Sequence, residues 1–283
     1  VTAFPETDLA AAGDVVVVAC AVEDAYGNLI EGVNTGAVDQ EGLSVQGHSV
    51  VGEIAGEYEI FCFLEGAEEG DGIEYIGAPL VIEAGEPASV ELKPTPKRDH
   101  YALKATVVLN YVVLDQYGNE MEGVDATFDI PSDPGLSIIA DNKFAFLAEG
   151  FYEVSVTLVA PYDDLTDAAI LVCDATGPDI IDLYPPRGET ITGEPVMNVY
   201  GSVGDKVSAV ASLTINNDDV PVNEDGTFAY GVPCKHGANH FRLRVMDEWG
   251  NSTETTRGWY YSTGWQPSDL PMEEARLVDG AAR

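Results

Sequence analysis

Apolar and polar residues alternate along most of this chain in short runs. Val16, Val18, Cys20 and Val22 share one parity, and Val107, Leu109, Tyr111 and Val113 share it 91 residues later. Alternation with a period of two places every second side chain on one face of a pleated strand, so each run predicts a strand with one buried face. The 3.6-residue period of an amphipathic helix is missing from both regions.

The two runs belong to a longer repeat. Val22-Glu-Asp24-Ala-Tyr26-Gly27-Asn28 returns as Val113-Leu-Asp115-Gln-Tyr117-Gly118-Asn119, and Gly56-Glu-Tyr58-Glu-Ile60 returns as Gly150-Phe-Tyr152-Glu-Val154. The second pair is offset by 94 residues rather than 91, which places a three-residue insertion between the motifs. The Asp-x-Tyr-Gly-Asn run predicts a corner, because an Asp side chain accepts backbone N–H groups and Gly and Asn tolerate positive φ. Tyr58 and Tyr152 each open an alternating run two residues after a glycine. They are placed like the tyrosine that ties a loop to backbone at the corner of a β-sandwich.

A third stretch, from about Thr176, is written differently. Short alternating segments around Val196–Tyr200, Leu213–Ile215, Val220–Val222, Phe228–Tyr230 and Phe241–Val245 are separated by turns at Asn216–Asp219 and Glu224–Gly226. Asp247-Glu-Trp249-Gly250-Asn251 resembles the earlier corner but comes late, before a final strand around Trp259-Tyr-Tyr261. Strands this short, with a turn every ~8 to 12 residues, predict sandwiches of two antiparallel sheets. The expected division is 1–83, 84–175 and 176–263, with 264–283 as a linker or assembly segment.

On these residues, the first two units resemble bacterial immunoglobulin-like modules of the invasin and intimin kind, over roughly 1–174. The shared features are the Asp-x-x-Gly-Asn corner and the later Gly-x-Tyr strand start. The third, about 177–262, is similar to immunoglobulin-like modules of bacterial surface proteins and of secreted polysaccharide hydrolases. Asp225-Gly-Thr-Phe228, Gly237-Ala-Asn239 and Asp247-Glu-Trp-Gly-Asn251 carry that likeness. The resemblance implies an all-β chain of three tandem immunoglobulin-like β-sandwich domains. It also implies a non-catalytic role outside the cell as stalk, adhesin segment or accessory module; a filament or assembly subunit is a further expectation, with other surface proteins or further copies of itself as the expected partners.

Charge narrows the partners. Asp and Glu number 49 against 13 Lys and Arg, a formal net charge of −36. Such a surface repels nucleic acid and keeps a protein soluble in salt. No apolar run approaches the ~18 residues of a membrane helix. The chain opens on Val rather than Met, the expected mark of a removed or more distant export signal.

Four cysteines, Cys20, Cys62, Cys173 and Cys234, allow three pairings, and their spacing resembles no metal knuckle. They read as disulfides, hence export, or else as buried thiols. Cys20 lies on the core parity of an early strand and Cys62 on that of Tyr58, Ile60 and Leu64, so a bridge between them would join two sheets, as in immunoglobulin domains. Cys173 ends the second unit and Cys234 follows a strand of the third, so their expected bridge would clamp the two units together.

Candidate chemistry is sparse. His48, His100, His236 and His240 form no metal motif, and neither a nucleophile elbow nor a phosphate loop is present. No cofactor is expected other than calcium. Clustered carboxylates could hold that ion at Glu65, Glu68, Glu69 and Asp71, at Asp163, Asp164 and Asp167, or at Asp218 and Asp219; otherwise these are solvated loops. Phe61 and Phe63 point outward by parity, offering an exposed contact unless a loop or neighbour covers them. His240, Arg242 and Arg244 form an outward basic row that could grip an acidic surface or an anionic glycan. Trp259, Tyr260 and Trp265 could stack on sugars, as in an accessory region of a hydrolase, or pack in the core.

Overall fold

A computed structural model describes residues 1–68 and 71–263. Among them every regular element is a β-strand. Buried apolar side chains gather into three clusters, one drawn from Ala3 to Ile82, one from Val90 to Cys173 and one from Met197 to Trp259.

Each cluster lies between two sheets. In the first, Thr2–Pro5, Val15–Ala21, Ser49–Gly52 and Leu43–Gln46 face Leu9–Ala11, Ala78–Glu83 and Gly56–Ile60. The predicted parity holds, since Val16, Val18 and Val22 are buried while Val15 and Val17 are exposed. In the second, Pro87–Thr95, Thr106–Asp115, Lys143–Phe146 and Leu136–Ala140 face Ala126–Asp129, Gly150–Leu158 and Thr166–Cys173. In the third, Asp179–Tyr184, Val196–Gly204 and Thr227–Pro233 face Ser252–Tyr261, Gly237–Asp247 and Val210–Ile215. This is the tandem β-sandwich class that the alternation implied.

The entering and leaving strands of a sandwich run side by side. Leu9–Ala11 pairs in parallel with Ala78–Glu83, and Glu189–Ile191 pairs in parallel with Ser252–Tyr261. The second cluster keeps a trace of this as a parallel bridge between Tyr101 and Cys173. A turn at positive φ follows each entering segment, at Gly13 (φ 89°), Lys104 (φ 66°) and Gly193 (φ 106°).

The tyrosine corners form as expected. The Tyr58 hydroxyl donates to the Ile54 carbonyl at 2.8 Å, and that of Tyr152 donates to the Ala148 carbonyl at 3.0 Å. Asn216 and Asn217 both take positive φ, the requirement of a tight two-residue hairpin turn. The strand expected at Val220–Val222 is replaced by the two-residue Asp218–Asp219 pairing, and Val220 reaches the core from a loop.

Candidate functional site

The Asp-x-aromatic-Gly-Asn corner occurs three times with one internal geometry. Asp115 Oδ1 accepts the N–H groups of Tyr117 and Asn119 at 2.8 and 2.9 Å, while Oδ2 accepts the Asn119 side-chain amide at 2.7 Å. Asp24 treats Tyr26 and Asn28 in the same way, with all three bonds at 2.9 Å. Asp247 repeats it with Trp249 and Asn251 at 2.9, 2.8 and 3.0 Å. One carboxylate thus satisfies three donors and fixes where the aromatic ring and the Asn side chain point.

Two of these corners reach a preceding sandwich. Asn119 donates from Nδ2 to the Glu53 carbonyl at 2.8 Å, and its Oδ1 accepts the Ala55 N–H at 2.8 Å. Asp115 Oδ2 accepts the Gly85 N–H at 2.8 Å, and Tyr117 lies against Gly13. Burial by itself would raise the Asp115 carboxyl, but the bonds from Gly85, Asn119 and Tyr117 outweigh it and hold the pKa at about 2. At the next junction Trp249 stacks on His100 with ring centroids 4.8 Å apart, and Asn251 Nδ2 donates to Asp174 Oδ1 at 3.2 Å. Gly177 packs so closely on the Ser252 backbone that a Cβ there would fall within 2.4 Å of it. Burial raises the Asp174 carboxyl above its ordinary value; the Ser208 hydroxyl opposes this, and the charges of Asp205, Asp247 and Glu149 add to it.

The cysteines divide. Cys20 and Cys62 form a disulfide that ties Val15–Ala21 to Cys62–Leu64, a short strand of the first sandwich paired with Thr35–Ala37. The expected clamp between Cys173 and Cys234 is not formed, and both are free thiols. Cys173 is enclosed in the second core, where burial lifts its thiol to about 11, with Glu149 and Asp174 adding to the shift. Cys234 packs on the third core and accepts the Trp259 indole N–H at 3.3 Å. Each sulfur is committed to its own sandwich.

The other candidate residues separate on burial and partners. Phe61 is half-buried against Gly77, and Phe63 covers Gly36 while remaining 45% exposed. Aromatic rings lying over glycines in this way cover backbone that has no side chain of its own. His240, Arg242 and Arg244 do face outward along Gly237–Asp247, but Arg242 is ion-paired with Glu254 and Arg244 donates to Ser252 Oγ at 3.4 Å. Trp259 is 3% exposed and belongs to the core, so it offers no sugar platform; Tyr260 is outward, and Trp265 lies outside the described residues.

Among the described residues no three His, Cys, Asp or Glu side chains converge as a metal site. Glu65 accepts from Asn34, Asp71 accepts the Glu68 N–H, and Asp167 accepts the Leu92 N–H. Asp163 and Asp164 are exposed loop residues, Asp218 accepts the Tyr230 hydroxyl, and Glu69 lies outside the described residues.

The residues that the alternation did not single out are the ring and the Asn of each corner. A signal existed. The turn requires Asp, Gly and Asn but not an aromatic third residue, and Tyr, Tyr and Trp stand there in three corners.

No protein-family model matches the chain, and no curated protein matches it. Solved structures similar to it include FdeC, an Escherichia coli adhesin, at 13% identity and a TM-score of 0.46, covering 92% of this chain and 96% of that one. Domains 1–6 of the surface layer protein SbsC are similar at 16% identity and a TM-score of 0.31, covering 94% of this chain. The chain spans 40% of that SbsC structure. The fibronectin(III)-like modules of Clostridium thermocellum CbhA are similar at 11% identity and a TM-score of 0.29, over 66% of this chain and 96% of that one.

Proposed function

We propose that the chain is a non-catalytic, exported spacer, three immunoglobulin-like sandwiches in series that hold something at a distance on or outside a cell. The observation that carries this reading is the Asn119 side chain. It closes its own corner on Asp115 and also takes both a carbonyl and an N–H from the preceding sandwich. A bidentate peg of this kind resists rotation as well as separation, which a plain linker does not. The Cys20–Cys62 bridge supports export, because structural disulfides persist in oxidising compartments. Other surface or extracellular proteins are the expected partners, with contact left to exposed faces.

Small-angle scattering of the wild type and of an Asn119→Ala, Trp249→Ala double variant tests the reading. A spacer gives one narrow distribution of elongated shapes that broadens in the variant. A wild type already as broad as the variant would overturn it.

A further inference from the structure

The first two sandwiches follow one pattern, yet one outer face differs between them. In the first, Val15–Ala21 turns Val16 and Val18 into the core and leaves Val15 and Val17 59% and 47% exposed. Phe4, 54% exposed, stands opposite the exposed Ala19 on the neighbouring strand, and the half-buried Val51 stands opposite Val15. These side chains form an apolar stretch on the outer side of the sheet, and exposed stretches of this kind mark contact surfaces.

The second sandwich carries polar residues at the matching positions. Val15 and Ala19 correspond to Thr106 and Asn110, 91 residues later. Lys93 stands opposite Asn110 where Phe4 stands opposite Ala19, and Lys143 stands opposite Val108 where Ser49 stands opposite Val17. Both sandwiches bury the same inward parity, so the fold does not require the outer residues of the first to be apolar.

The face lies along the flank of the sandwich and not where sandwiches join. In the second sandwich Lys93 and Asn110 remain exposed although the first is docked on its Asn119 corner. A module preceding the first sandwich and docked in that way would leave Phe4, Val15 and Val17 open.

Charge names the partner. Lys93 is the first Lys or Arg of the chain, so the first sandwich has neither. Acids border the face: Glu6 sets its carboxylate against the Val17 N–H at 3.0 Å, Asp14 precedes Val15, and Glu53 follows the strand that carries Val51. All three are exposed. An apolar centre inside an acidic margin complements a basic, amphipathic polypeptide. It repels an anionic lipid surface and a second copy of net charge −36.

We propose that this face docks a basic, amphipathic polypeptide segment of another protein, its apolar side chains over Phe4, Val15 and Val17 and its Lys and Arg against Glu6, Asp14 and Glu53. The proposal rests on the spacer reading only in its premise that contact is left to exposed faces.

Fluorescence anisotropy with the full chain tests it, using a labelled Leu/Lys peptide of about 18 residues with Leu on one helical face and Lys on the other. Saturable binding of one peptide per chain is expected. The triple variant Phe4→Lys, Val15→Thr, Ala19→Asn should weaken it about tenfold or more. Its new residues are those of the second sandwich at the matching positions, so the sheet keeps its strands. Glu57→Lys, an exposed site on Gly56–Ile60 in the opposite sheet, changes the charge by a further step and should weaken binding by about twofold at most. The same peptide composition in scrambled order should bind as weakly as the triple variant does.

Three results would overturn the proposal: no binding, equal weakening by Glu57→Lys and the triple variant, or a scrambled peptide that binds as well as the amphipathic one. Sedimentation that found wild-type dimers abolished by the triple variant would also overturn it, by assigning the face to a second copy. Peptide binding does not depend on stiff joints. A chain that flexes freely in scattering would therefore remove the spacer reading alone, and a stiff chain that ignores the peptide would remove this one alone.

Discussion

Tyr117 lies against Gly13 so closely that a Cβ on that glycine would come within 2.3 Å of the phenol oxygen. Gly13 and Gly27 both take positive φ, at 89° and 82°, but nothing lies within 4 Å of a Cβ at Gly27. Alanine at Gly27 should therefore cost only the left-handed backbone penalty of about 1–2 kcal/mol. Alanine at Gly13 should cost that amount and also lift Tyr117 off its seat. The difference between the two variants in thermal unfolding isolates the junction, and equal losses would show that the ring contact contributes nothing.

The two junctions should respond to acid in opposite directions. Asp115 has a folded pKa of about 2, below its ordinary 3.8, so its stabilisation is full above the ordinary value and is lost as pH falls toward 2. That contribution is on the order of 1–2 kcal/mol. Asp174 is raised, so the proton it binds favours the folded state below the ordinary carboxylate range, and the benefit is lost as pH rises through the raised value. At pH 7, Asp174→Asn should raise the melting temperature, with the gain shrinking toward pH 4. A gain that stays constant with pH would contradict the assignment.

The disulfide closes a loop with a sequence separation of 42 residues, for which chain entropy gives about 2–4 kcal/mol. Reduction should lower the unfolding transition of the first sandwich and leave the other two in place. Thiol titration of the denatured, unreduced chain should find two reactive groups, Cys173 and Cys234. In the native protein Cys173 should resist alkylation, since burial both hides it and lifts its thiol to about 11.

Trp259 decides between platform and core. Trp259→Ala should cost ~3–5 kcal/mol and destabilise the third sandwich, whereas the exposed Tyr260 should accept Ala with little loss. Calorimetry of the two variants reads the contrast, and similar small losses would return Trp259 to the surface.

The strands and the Cys20–Cys62 bridge were legible because parity alone reports which side chains face inward, and both cysteines lie on inward parities. Parity could not distinguish a thiol at the end of a core from one at an interface, which is why Cys173 and Cys234 suggested a clamp. It also reports nothing about the neighbouring strand. Phe61 and Phe63 point outward as alternation requires, but the glycines beneath them, Gly77 and Gly36, come from other segments of the chain. The corner's hydrogen bonds could be read from Asp, Gly and Asn. Its docking could not, because the surface that receives Asn119 is built by residues more than sixty positions earlier in the chain.

The parallel pairing of Leu9–Ala11 with Ala78–Glu83, and of Glu189–Ile191 with Ser252–Tyr261, has a mechanical consequence. Tension along the chain pulls the entering and leaving strands in opposite directions along their shared ladder, so its hydrogen bonds are loaded together in shear rather than peeled one after another. A sandwich tied in this way withstands a pull between its ends better than one whose terminal strands form a hairpin.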